Sequence, residues 1–422
     1  MLVLPVELRE HILRPLASHD LVNVRTAGNR ALYELATPMA FRAIRIGNDA
    51  RGLEVFRAVV NHRIASMVQE VHVDISQPKT VTKSGALGGC HLLASYPYST
   101  HRHLVDFTSM QEAYSKGTMF ASIASHFPSL SHLKISFGED LACSVPQLER
   151  LSGQAMLMDL ILSNPQCRPS RITSLTLHTM VFPWAVFSSL LAMDALSSLT
   201  HLDVHFNDIP AGRIPADFMS SCPQGVRQRA DTPPWQLRHL KLAATVESIH
   251  FTPIDLALLH FPHLETLFIE NMTLRTPLAN VLTPAKNPGA MEDFIIRHTM
   301  LRSLTLKDCM LVHTRRPWSA VYDRISSALT RLTELSVEFG PPRREWMNQA
   351  PSQFSSKCVV DSHPETSLGY CSLPSMRLEV NRGKFIRDFT DAPLVVKGDE
   401  AALVRLKGKV KARAQANNMF SD

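Results

Sequence analysis

The sequence predicts an α/β chain: a short N-terminal three-helix module, then a curved solenoid built from repeats of one strand and one helix. Three observations predict it. Helix-start, stripe and proline signals fill the first 40 or so residues. A leucine-spaced template then recurs along most of the chain. The length of 422 residues exceeds what one closed core holds, yet suits an array that grows lengthwise.

Composition sets the outer limits. Apolar residues make up 45% of the chain and charged residues 19%, the balance of a folded protein. The net charge of +6 is mild, and lysines and arginines are spread rather than blocked, so no nucleic-acid partner is expected. Cys90, Cys143, Cys167, Cys222, Cys309, Cys358 and Cys371 form an odd set with no CxxC pair, the usage of a reducing compartment. Glu7, Arg9 and Glu10 follow a very short apolar start, unlike a secretory leader, and no apolar run reaches the roughly 18 residues of a membrane helix. No membrane partner is expected, and the expected location is cytoplasmic, nuclear or both.

The N-terminal module spans residues 1–40. Leu4-Pro5-Val6-Glu7 places a proline and an acid in a first helical turn, and Leu8, Ile12, Leu13 and Leu16 form a one-sided stripe. Ser18-His19-Asp20 reads as a break and cap before a second helix opened by Leu21 and Val24. A third helix carries Leu32, Leu35 and Ala36 and is expected to stop at Thr37-Pro38, because a residue before proline is pushed out of the helical region. Three helices of this size bury little surface, so some apolar side chains must face a partner or a neighbouring domain.

The pattern L-P-x-E-L-x-x-x-I-L-x-x-L, then D-L-x-x-x-R, then R-x-L-x-x-L-A-x-P-x-x-F-R over Leu4 to Arg42 resembles the F-box motif, especially its fungal form. Two positions depart from it. Gly28-Asn29 stands where the family commonly has an apolar and a small residue, and Leu32 or Tyr33 replaces a common tryptophan. A glycine inside a helix there would cost about 1 kcal/mol relative to alanine. The resemblance implies docking to a Skp-type adaptor, and through it a cullin, by Leu4, Pro5, Leu8, Ile12, Leu16 and Leu21.

From residue 41 to 398 the template leucine-x-x-leucine-x-leucine-x-x-asparagine or cysteine governs, the spacing of leucine-rich repeats. It is complete at Leu199, Leu202, Val204 and Asn207, at Leu301, Leu304, Leu306 and Cys309, and at Leu373, Met376, Leu378 and Asn381. Partial copies start at Leu130, Ile172, Leu237, Leu264 and Leu332, and weaker ones at Phe41 and Val68. Positions four and six alternate with polar neighbours, which is strand periodicity, while stripes such as Trp184 to Leu191 are helical. His126-Phe127-Pro128-Ser129-Leu130 and His260-Phe261-Pro262-His263-Leu264 mark the turn from helix to strand.

Three stretches, 77–117, 210–234 and 341–370, are irregular insertions rich in Pro, Gly or Ser. Residues 399–422 carry Arg405, Lys407, Lys409, Lys411 and Arg413 and read as a basic C-terminal helix or tail.

In such an array the strand residues flanking positions four and six point out of the concave side. The expected target-binding residues are therefore His178, His201, Asp203, His205, His239, Lys241, Phe268, Glu270, Lys307, Glu334 and Glu338. The N-terminal part of this ladder bears His and Lys and the copy at Leu332 bears two glutamates, a face suited to a protein segment of mixed charge. No metal site, cofactor or catalytic group is expected: no P-loop, GxGxxG, GxSxG or HExxH string occurs, and no Cys/His spacing matches a zinc pattern. The expected role is that of a substrate-recognition subunit of an SCF-type ubiquitin ligase, not an enzyme. The alternative is a leucine-rich-repeat scaffold without a ligase role.

Overall fold

The computed structural model describes residues 11–16, 18–47, 50–74, 123–136, 172–180, 198–206, 236–244, 260–272, 274, 290–312, 317–338, 359–360, 369–372 and 392–419. Two compact units result, residues 1–179 with 193–199 and residues 180–192 with 200–422. Each is built from parallel strands that alternate with helices, a solenoid-like α/β repeat.

The first unit opens with helical residues 11–13, then α1 (Ser18–Thr26) and α2 (Arg30–Ala40). Leu13, Leu21, Ala36 and Ala40 form their core, with Leu16, Val24, Leu35, Met39 and Phe41 packed around it. Three expectations change here. Ser18-His19-Asp20 is the first turn of α1 rather than a break, and Asp20 suits the positive end of that helix. Gly28 lies between helices with φ of 76°, a conformation glycine adopts freely, so it costs no helix stability. Asn29 then caps α2, accepting from Ala31 N at 3.0 Å and Leu32 N at 3.2 Å.

The third change is at Pro38, which α2 runs through instead of ending before. The proline falls in the last turn and supplies no N–H to the carbonyl four residues earlier. The Thr37 hydroxyl donates to Tyr33 O at 2.5 Å and Phe41 N donates to Thr37 O at 3.2 Å. Burial of Thr37 and Ala40 draws this turn onto the core and outweighs the pre-proline preference.

Strands β1 (Ala43–Gly47), β2 (Glu70–Asp74), β3 (His132–Ser136) and β4 (Ser174–Met180) follow in the first unit. In the second come β5 (His201–Phe206), β6 (His239–Ala244), β7 (Thr266–Glu270), β8 (Ser303–Lys307) and β10 (Glu334–Glu338). Every one of these strands begins two residues after a template start, including the weaker copies at Phe41 and Val68. Positions four and six are the buried ones, as in Val71 and Val73, Leu133 and Ile135, or Leu267 and Ile269. Burying each such side chain contributes about 1.5–3 kcal/mol, which holds the register against a one-residue slip.

Backbone bonds carry that register from copy to copy. The carbonyl one residue after a start accepts two N–H groups from the next copy: Gln69 and Glu70 on Arg42 O at 2.8 and 3.0 Å, and Arg302 and Ser303 on Glu265 O at 2.8 and 3.0 Å. The turn before a strand is equally regular. Ala65, Phe127, Phe261, His298 and Leu329, each three residues before a start and each buried, accept the start residue's N–H through their carbonyls.

Helices α3 (Ala50–Val60), α4 (Ile123–His126), α5 (Ala290–Arg297) and α6 (Trp318–Ala328) lie between strands. Gly52 of α3 meets the end of β1: a Cβ there would lie 2.2 Å from Gly47 O. In the second unit, Arg324 of α6 donates to Glu292 at 2.7 Å and Asp293 at 2.9 Å on α5. Glu292 is only 1% exposed, and such a carboxylate needs its cation.

Two expectations about the C-terminal part change. The stretch 341–370 contains β11 (Val359–Val360) and the first residues of β12 (Gly369–Ser372), which pairs with β11 and returns to pair parallel with β9 (Met310–Val312). The tail is α7 (Ala392–Met419), which starts before 399 and packs along α6. Asp399, fully buried, accepts from Ser319 N at 2.6 Å at the start of α6, and Arg413 donates to Leu329 O at 2.7 Å at its end. Lys409 donates to Ser326 Oγ at 3.0 Å, so the basic run is partly structural. The stripe Trp184 to Leu191, the insertions 77–117 and 210–234, and the template copy at Leu373 lie outside the described residues.

Candidate functional site

The sheet of each unit has one face against its own core and one face toward solvent, because the strands alternate buried and accessible residues. The accessible residues line up in rows across neighbouring strands.

In the second unit, parallel pairing sets His201 beside His239, Asp203 beside Lys241 beside Phe268, and Glu270 beside Lys307 beside Glu338. The imidazoles of His201 and His239 stack with centroids 4.1 Å apart and planes 14° from parallel. Asp203 holds two cation-capable neighbours, His205 at 3.0 Å and Lys241 at 4.0 Å, and the Lys241 ammonium sits 5.1 Å from the centre of the Phe268 ring. Lys307 donates to Glu270 at 2.6 Å, and this bond raises the Lys307 pKa above its ordinary value. Ser336 donates to Glu338 at 2.6 Å, and Glu334 opens β10, exposed.

Ten of the expected target-facing residues, His201, Asp203, His205, His239, Lys241, Phe268, Glu270, Lys307, Glu334 and Glu338, thus share one face of the second unit. The eleventh, His178, lies on β4 of the first unit, in register with Ser136.

The first unit has its own ladder. Arg45, His72, Lys134 and Thr176 form its central row. Arg45 pairs with Asp74, and His72 Nε2 lies 2.8 Å from Ser136 Oγ. The His72 pKa is lowered, first by burial and then by the facing charges of Lys134 and Arg45. Arg45, His72 and Asp74 were not among the expected site residues. The signal that finds them is the pair of weaker template copies at Phe41 and Val68, whose flanking positions they occupy.

At the N-terminal helices, Leu4, Pro5 and Leu8 lie outside the described residues. Ile12 is 45% exposed, Leu16 is half-buried against the small core, and Leu21 is 4% exposed within it. Leu21 therefore packs α1 against α2, and among the described residues Ile12 and Val22 are the exposed large apolar side chains there.

Among the described residues, no three His, Cys, Asp or Glu side chains gather in a group that could hold a metal ion. No described helix is long and apolar enough to cross a membrane. Cys309, at the template's final position, is fully buried; burial pushes its thiol up to about 12, and its Sγ–H donates to Ile269 O at 3.4 Å. The template's cysteine is a strand-end staple.

No protein-family model matches the chain, and no curated protein matches it. Among solved structures it is similar to a structural-genomics crystal structure of a Bacteroides fragilis protein, at 11% identity and a TM-score of 0.33, over 72% of this chain and 76% of that one.

Proposed function

We propose that the chain is the substrate-recognition subunit of an SCF-type cullin-RING ubiquitin ligase. The N-terminal helices would dock a Skp-type adaptor and the leucine-rich repeats would bind a target protein. The observation that carries the reading is the register of the array. Template copies far apart in sequence deliver polar and charged side chains, in rows, to one accessible face of each unit's sheet. Such a surface suits the binding of a protein segment of mixed charge. The F-box-like pattern over Leu4 to Arg42 supplies the other half, with exposed Ile12 and Val22 as apolar surface beside it.

The mechanism is proximity. Holding a target on the repeats and the adaptor at the helices raises the local concentration of target lysines near a loaded conjugating enzyme. The chain supplies no catalytic group, needs no cofactor, and works in the cytoplasm or nucleus. A second reading, a repeat scaffold whose helices only cap the array, is favoured by the burial of Leu21 in the helices' own core. A pull-down with a Skp-type adaptor separates the two. The ligase reading expects capture of the wild-type chain and its loss in Leu4→Ala with Pro5→Ala; no capture of the wild-type chain leaves the scaffold reading.

A further inference from the structure

The charged groups of the two sheet faces are not equally committed. On the second unit, Lys241 is shared between Asp203 and the Phe268 ring, and Lys307 is held by Glu270 at 2.6 Å. Both cations already have an anionic neighbour.

On the first unit, Arg45, His72 and Lys134 are direct register partners on β1, β2 and β3. Adjacent strands are about 4.8 Å apart, so the three cover a span of roughly 10 Å. Among the described residues, Lys134 has no carboxylate within ion-pair distance. The Arg45 side chain is 68% exposed, and its guanidinium keeps donors beyond those given to Asp74. The His72 pKa is lowered first by burial, and the facing Lys134 and Arg45 lower it further against the opposing Asp74 and Glu70.

We infer that Arg45, His72 and Lys134 form a docking row for an acidic segment of the target protein, one that carries aspartate or glutamate carboxylates. This rests on the receptor reading above and names the chemistry of its partner. A carboxylate over His72 reaches both cations, and the nearby Ser136 hydroxyl holds the ring in place. A peptide fits better than a nucleic acid. Among the described residues, the face offers no Phe, Tyr or Trp for bases to stack on.

The test uses the full chain and a short fluorescein-labelled peptide of alternating glutamate and glycine, followed by fluorescence anisotropy at low salt. Lys134→Glu is expected to weaken binding about tenfold or more, since a like charge then faces the ligand, and Lys134→Met a few-fold. Lys407→Glu, on the exposed side of α7, leaves binding unchanged. Far-UV circular dichroism identifies a misfolded variant, and Lys134→Met keeps the test valid if Lys134→Glu does not fold. Three results overturn the inference: no binding by the wild-type chain, binding indifferent to Lys134, or tighter Lys134-dependent binding of a thymidine oligonucleotide. Adaptor capture does not involve Lys134, so Lys134→Glu should still be pulled down. Loss of adaptor capture with peptide binding intact would sink the ligase reading alone.

Discussion

His298 is expected to make one joint of the array acid-labile. It sits three residues before a template start, where the copies at Val68, Leu130, Leu264 and Leu332 carry Ala, Phe, Phe and Leu, and it is 2% exposed. Its Nδ1–H donates to Phe294 O at 2.6 Å and its Nε2 accepts from Phe261 N at 2.9 Å, so the neutral ring ties one repeat's turn to the helix of the next. Burial, chiefly, lowers its pKa to about 4, and the charges of His260 and Arg297 push the same way. Protonation therefore favours the unfolded chain. The stabilisation is present above the unfolded pKa near 6.5 and is lost as pH falls toward 4. The full loss is about 3 kcal/mol, of which about 2 kcal/mol has gone by pH 5.

Because repeat arrays open locally, the assay is amide hydrogen exchange of residues 260–264, corrected for intrinsic rates, at pH 7.5 and 5. His298→Leu removes the titration and leaves the Phe261 N–H unpaired, a cost of about 1–3 kcal/mol at both pH values. The gap in opening free energy between wild type and variant should narrow by about 2 kcal/mol on going to pH 5. A gap that is the same at both pH values refutes the reasoning.

Three further outcomes follow from packing. Gly52→Ala places a methyl group 2.2 Å from Gly47 O and should lower the melting temperature of the first unit or prevent its folding, read by calorimetry. Asp399→Ala removes the buried acceptor of Ser319 N and should cost about 1–2 kcal/mol, loosening α7 so that limited proteolysis cuts within it sooner. The Cys309 thiol, raised to about 12 and fully buried, should resist alkylation at pH 8 in the native chain and react once denatured, which mass spectrometry of the labelled peptide reads directly.

Strand positions were the most legible feature of the sequence. Position four and position six must be apolar to face the core, and their neighbours must be tolerant of water, so a chain such as Leu264-x-x-Leu267-x-Ile269 announces its strand and its face together. The accessible ladder from His201 to Glu338 followed from the same rule. The buried position three residues before the starts at Val68, Leu130, Leu264, Leu301 and Leu332 did not, because Ala65, Phe127, Phe261, His298 and Leu329 share a burial requirement rather than a residue type.

Local signals also misread where tertiary packing overrides them. Pro38 ends no helix because burial of Thr37 and Ala40 holds the last turn, and Gly28 weakens none because it links two. The basic run looks solvated by composition, yet Lys409 and Arg413 reach α6. Nothing short of the folded contacts reveals that Asp399 caps a helix 80 residues earlier. The three strands of the small sheet are too short to carry a period-two pattern, which is why 341–370 reads as irregular.

The most direct test of the receptor account is co-elution of the purified chain with a Skp-type adaptor on size exclusion, with mass measured by light scattering. The account predicts a one-to-one complex with the wild-type chain and separate peaks with Leu4→Ala and Pro5→Ala combined. A wild-type chain that elutes apart from the adaptor at micromolar concentration contradicts it.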